Sequence, residues 1–179
     1  MKRYQPAISL ETAIFLNLNG AEYSSKNRRE ATELAIIIAA SMAVNLVENR
    51  QAVGLSTNGK DPLAREERSI SIPPRKGREH LMGILEVLAR IEVAQGTPFT
   101  SVLQRQSLNL PWGCTAIIIT SQETQELLPV LVQLGRRGFN VVLILVDPQT
   151  PFRLTKQRAQ QVGIQAYRIT RERDLDVWR

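Results

Sequence analysis

Four polar side chains stand where chemistry could occur. Asn17 and Asn19 close the apolar, β-rich run Ala13-Ile14-Phe15-Leu16, Thr97 follows Gly96, and Ser121 follows Ala116-Ile117-Ile118-Ile119-Thr120. In an open α/β sheet the carboxyl ends of the central strands border the ligand crevice, so amides and hydroxyls there would face whatever binds. Such groups offer N–H donors and neutral oxygens, which suits recognition by hydrogen bonding better than acid–base work. Asn17 and Asn19 also have a structural use, since asparagine caps neighbouring loops and tolerates a left-handed turn ahead of Gly20.

Most catalytic chemistries are missing from the sequence. Asn19-Gly20-Ala21-Glu22 lacks both the G-x-G-x-x-G spacing and the Walker lysine-serine pair of phosphate-binding loops. His80 stands beside Arg78 and Glu79 with no second His or Cys at metal-ligand spacing, and reads as a surface or capping residue. No G-x-S-x-G elbow presents a serine. The one cysteine, Cys114, lies in an apolar run; it excludes a disulfide framework, permits a reducing compartment and reads as a core thiol. The expectation is a non-enzymatic chain without a cofactor or a bound metal.

The elements that would position these residues alternate along the chain. Strands are expected over 12–19, 51–57, 112–120, 139–146 and 164–170, with a short one over 69–72 that Pro73-Pro74 ends and that suits a sheet edge. A loop over 60–68 precedes that short strand. Helices are expected over 30–49 and 77–94, from the pair Thr97-Pro98 to 108, up to Arg137, and from Thr150-Pro151 to 162. Thr97 and Thr150 read as N-caps with proline at the first helical position, and Pro129 as opening or kinking its helix. The helix over 30–49 is apolar nearly all round, as a helix buried between a sheet and its neighbours should be. Leu175, Val177 and Trp178 are expected to dock as a final turn. This alternation predicts an α/β, doubly wound, Rossmann-like three-layer sandwich, its six-stranded sheet mostly parallel with one antiparallel edge strand.

The 179 residues suit one domain spanning 1–179. The apolar stretch over 34–47 falls short of the roughly 20 residues of a membrane span, and no signal peptide is read in the opening residues. A net charge of +6 invites a phosphate-binding reading. Most basic residues, however, alternate with acidic ones as on a solvated face. The net basic clusters are Arg75-Lys76 with Arg78, and Arg136-Arg137; no aromatic ladder accompanies them. Nucleic-acid binding through these clusters is the lesser alternative.

The strand-end residues carry a resemblance. The sequence is similar to the von Willebrand factor A-like domain, whose first strand ends in D-x-S-x-S, whose separate loop supplies a threonine and whose fourth strand ends in an aspartate, together a metal-ion-dependent adhesion site. Here D-x-S-x-S reads Asn17-Leu18-Asn19-Gly20-Ala21, the threonine is Thr97 and the aspartate position is Ser121. Only the threonine is unchanged. A hard cation such as Mg²⁺ is held by carboxylates with neutral oxygens and waters, so the replacements predict a degenerate site at Asn17, Asn19, Ala21, Thr97 and Ser121 that binds a protein partner without metal. A residual divalent-metal-dependent adhesin or enzyme, with Glu22 or Glu123 as substitute ligand, is the alternative, although neither occupies a matched position.

More narrowly, the chain resembles the carboxyl-terminal domain of the bacterial family called domain of unknown function fifty-eight. Tyr4-Gln5-Pro6, the run from Phe15 to Asn19, Glu33-Leu34-Ala35, Ala39-Ala40-Ser41, Val53-Gly54-Leu55 and Arg137-Gly138 carry that resemblance. It implies membrane helices upstream, a soluble, cytoplasmic-facing domain belonging to a membrane-anchored parent, and a MoxR-type AAA ATPase as partner.

Overall fold

Alternate residues of the first strand are buried on opposite sides. In β1 (Glu11–Leu16), Ile14 and Leu16 join one apolar cluster while Ala13 and Phe15 join the other. A strand buried on both faces must have helices over both, and the computed structural model, which describes residues 11–64, 69–148 and 151–178, has that arrangement. The remaining strands are β2 (Ala52–Thr57), β3 (Ile70–Arg75), β4 (Thr115–Thr120), β5 (Asn140–Val146) and β6 (Gln165–Ile169). The helices are α1 (Arg28–Glu48), α2 (Arg78–Arg90), α3 (Phe99–Gln106), α4 (Leu127–Arg136) and α5 (Phe152–Gln161). The sheet runs β3-β2-β1-β4-β5-β6, with only β3 antiparallel, at the edge. Residues of α1 and α2 pack on the Ile14 face; residues of α3, α4 and α5 pack on the Phe15 face. This is the expected six-stranded doubly wound sandwich.

At 21 residues α1 is long and apolar enough to match a membrane span by length and composition, more than the stretch over 34–47 indicates. In the fold, Ala35, Ile38, Ala39 and Ala43 are fully buried in the cluster that includes the strands and α2. Its apolar composition answers a packing demand.

Three boundaries differ from expectation in ways that shape the site. The first strand leaves the ladder at Leu16, three residues before Asn19, because side chains take over its backbone: Asn58 Oδ1 accepts from Leu18 N at 2.7 Å and Asn17 Oδ1 from Asn19 N at 3.0 Å. The second helix ends at Arg90, and the chain beyond it turns extended, bridging Lys60 through Glu92 and Asn19 through Ala94. Finally, β3 runs through Pro73-Pro74 to Arg75 and is not ended by the prolines. An edge strand tolerates missing N–H groups, and the register shifts between Val53 and Leu55 to admit them. Smaller differences follow local geometry. Pro129 is the third residue of α4 and so opens it. Thr150 lies outside the described residues. The final turn forms at Glu172–Trp178 with Leu175 buried.

His80 bonds through Nε2 to the Val53 carbonyl at 2.8 Å, tying the start of α2 to the sheet. Cys114 is buried, and burial, helped by the charge of Glu11, pushes its thiol up to about 11. At neutral pH it is protonated and is not a nucleophile.

Candidate functional site

The carboxyl ends of β1, β2 and β4 converge with the segment after α2, and at their centre lies Asn17, fully buried. Every capacity of its side chain is used. Nδ2 donates to Glu22 Oε2 at 2.8 Å and to Thr120 Oγ1 at 2.9 Å; Oδ1 accepts from Asn19 N and from Asn58 Nδ2 at 3.1 Å. A carboxylate only accepts, so the amide must turn its nitrogen to Glu22, which fixes its orientation. The Asn17 carbonyl in turn accepts from Tyr23 Oη at 2.7 Å. Burial, and then the neighbouring Glu22 charge, raise that phenol above its ordinary range, so it remains a donor.

Glu22 ends a short 3-10 turn, Gly20–Glu22, capped by Asn19, whose Oδ1 accepts from Ala21 N at 3.2 Å. Its carboxylate folds back into the strand-end site. Besides Asn17, Oε1 receives Asn19 Nδ2 at 3.0 Å and the backbone N of Phe99 at 3.1 Å. Phe99 opens α3, so the carboxylate also sits at that helix's positive end. Ser121 Oγ donates to the Glu22 carbonyl at 2.9 Å and pins the turn from below. N–H donors from Asn17, Asn19 and Phe99 thus surround the Glu22 carboxylate.

Of the five motif positions, Asn17, Asn19 and Ser121 come together around Glu22. Thr97 joins through its backbone: its carbonyl accepts from Asn58 Nδ2 at 3.1 Å and Asn19 Nδ2 at 3.4 Å. It is not the N-cap of α3; Pro98 holds that place without a side-chain bond, and Glu22 supplies the missing acceptor. Ala21 contributes only its N–H. Glu123 pairs with Arg158 at 3.7 Å. Among the described residues no three His, Cys, Asp or Glu side chains gather as a metal cluster.

The sequence reading missed two members. Asn58 lies just past the strand expected over 51–57, and Asn58-Gly59 there repeats Asn19-Gly20 after β1, which was the available signal. Glu22 was placed near the site only as a substitute metal ligand; its role as acceptor for the asparagine amides was not read, because the turn that returns it is held by Ser121, 99 residues away. The basic residues lie elsewhere: Arg75, Lys76 and Arg78 span the β3–α2 turn and Arg136 and Arg137 end α4, all at the amino end of the parallel strands.

Two clefts flank the site. One, of about 270 Å³, is lined by residues including Asn58, Asp61, Gln95 and Thr97. The other, of about 440 Å³, runs along the start of α1 past Arg28, Thr32 and Ile36. Val93, 39% exposed, borders both and is the ridge between them. The Nε of Arg28 is buried in the fold without a partner. Asp61 closes the far side of the first cleft by a two-pronged bond to Arg90, both at 2.9 Å, which holds its carboxyl below the usual range.

This sheet order, with its one antiparallel edge strand among the described residues, matches the fold of solved von Willebrand A-type structures. A von Willebrand factor type A protein from Catenulispora acidiphila superposes with a TM-score of 0.61 over 93% of this chain at 14% identity; this chain spans 40% of that one. The conserved hypothetical protein BatB from Bacteroides thetaiotaomicron gives 0.62 at 14% identity, with 94% of each chain covered. An aerotolerance-related membrane protein from Bacteroides fragilis NCTC 9343 gives 0.63 at 11% identity, covering 94% of this chain and 96% of that one. At these identities the likeness defines the fold alone. No family model and no curated sequence matches the chain.

Proposed function

We propose that this chain is a metal-independent protein-interaction module, a von Willebrand A-like domain whose degenerate adhesion site has become a rigid internal support. The carrying observation is Glu22, whose carboxylate receives N–H groups from Asn17, Asn19 and Phe99 at the strand-end centre. With its carboxylate so occupied, the site presents shape and backbone polarity to a partner instead of an open coordination position. The contact surface would be the paired clefts and the Val93 ridge above that centre. Val93 is the exposed apolar residue that borders both clefts.

The resemblance to the domain of unknown function fifty-eight supports the finer reading. On it, the chain is the cytoplasmic-facing part of a membrane-anchored protein, and its partner is a MoxR-type AAA ATPase. The test is retention of such an ATPase on the immobilised chain. Retention should be unchanged by EDTA and should fall by about tenfold or more for Val93→Asp, which places a charge in the apolar contact without touching the core. Loss of retention in EDTA, or full retention by the variant, would contradict the reading.

A further inference from the structure

The opposite end of the molecule carries a second surface. Three arginines lie at that end, where α3 leads into β4 and α4 leads into β5: Arg105, Arg136 and Arg137. Arg137 is held in place, donating from Nη1 to Ser107 Oγ at 3.0 Å and from Nη2 to the Ser107 carbonyl at 3.3 Å, with its guanidinium 5.6 Å from the Phe139 ring centre. Between these arginines the 3-10 turn Ser107–Asn109 and the loop after it present Leu108, 68% exposed, and Trp112, 86% exposed.

The indole is not a loose side chain. Gly113 N donates to the Gly138 carbonyl at 3.2 Å, and the ring lies so near Gly138 that a Cβ there would come 2.1 Å from Trp112 Nε1. A large aromatic fixed against backbone while most of its surface meets water gains nothing for the core. Its exposure therefore needs another explanation.

Charge around it is one-sided. No acidic residue occurs from Val93 to Gln122 or from Leu127 to Val146, the segments that build this patch. Arg75, Lys76 and Arg78 extend the basic end toward the β3 edge, so the positive groups reach across five strands of the sheet, about 19 Å at 4.8 Å per strand. Glu11 at the start of β1, Glu48 at the end of α1 and Glu79 at the start of α2 are carboxylates on this side, among the described residues, and the basic groups outnumber them.

We propose that this end is a docking surface for a membrane rich in anionic phospholipid. A bilayer is flat and presents diffuse negative charge above apolar depth. Basic side chains spread over some 19 Å match the charge, and a fixed indole with a neighbouring leucine matches the interfacial layer where tryptophan partitions. Each basic residue held near an anionic surface adds to the attraction, and the attraction weakens with salt. The inference is independent of what binds at the Asn17 end.

The experiment is co-sedimentation of the intact chain with phosphatidylcholine vesicles and with vesicles that also contain phosphatidylglycerol. The expected result is binding to the anionic vesicles alone, falling as salt rises, with a blue shift of tryptophan emission that is absent in Trp112→Phe. Binding should drop about tenfold in Trp112→Ala and again in the double variant Arg105→Glu, Arg136→Glu, which leaves the structural contacts of Arg137 intact. Failure of the unsubstituted chain to sediment with anionic vesicles at low salt, or equal binding by the variants, would overturn the proposal. Retention on single-stranded DNA through the same residues, without vesicle binding, would overturn it in favour of nucleic acid.

Discussion

Replacing Asn17 by aspartate is expected to cost about 3 kcal/mol at pH 7, roughly 10 °C in Tm for a chain of this size. The substitution changes one atom group and nothing in volume. It nevertheless puts a second carboxylate where the amide nitrogen now donates to Glu22 Oε2 at 2.8 Å and to Thr120 Oγ1 at 2.9 Å, at a fully buried position. Two carboxylates in contact cannot both ionise cheaply, so the folded pair retains a proton that the unfolded chain releases. A group whose folded pKa is raised loses its contribution as pH rises. The deficit in Asn17→Asp should therefore widen between pH 5 and pH 8. Thermal melts across that range measure it. Mn²⁺ should recover part of the lost Tm in the variant, because a cation is the other way to hold two carboxylates together. Equal Tm values for the variant and the parent chain at pH 7 would remove the argument.

The second large effect is expected at Gly54. A Cβ there would lie 2.6 Å from the Ile72 carbonyl oxygen and 2.7 Å from Pro74 N, both backbone atoms of the opposing edge strand. Neither is a flexible tip that can swing away. Gly54→Ala should cost about 3 kcal/mol, at the upper end of overpacking penalties. The damage should be local at first: β3 is an edge strand, so faster amide exchange in Ile70–Arg75 than in β4 is expected before global unfolding. An alanine variant that melts with the parent chain would show that the two strands can separate freely there.

These two positions also mark how far the sequence can be read. The continuous apolar runs that became β4 and β5 were unambiguous, because a strand buried on both faces leaves no alternation to misread. The helix α1 was legible from its length and apolar run, although its fully buried residues form one stripe, Ala35, Ile38, Ala39 and Ala43 among them, with Leu34, Ile36, Ile37 and Val44 only partly buried. The end of β3 was not, since Pro73-Pro74 is a stop signal by local rules, and its tolerance depends on Gly54 in another strand and on an edge location. Within the site, Asn17, Asn19 and Ser121 could be placed because strand ends are a local property. Asn58 could not be given a role, and Glu22 only that of a substitute metal ligand: one joins through contacts with Asn17 and Thr97, the other through a contact with Ser121, all distant in sequence. Thr97 illustrates the reverse case. Its residue type pointed to a side-chain cap, and the chain uses its carbonyl while Glu22 takes the cap.

The Glu22 carboxylate, held by N–H donors from Asn17, Asn19 and Phe99, is the centre of the proposed metal-independent site. Titration calorimetry of the unsubstituted chain with Mn²⁺ at pH 7 tests it most directly. The expected result is no saturable heat, with the same titration of Asn17→Asp giving a saturable isotherm. Saturable Mn²⁺ binding by the unsubstituted chain, abolished by Ser121→Ala and competed by Mg²⁺, would contradict it.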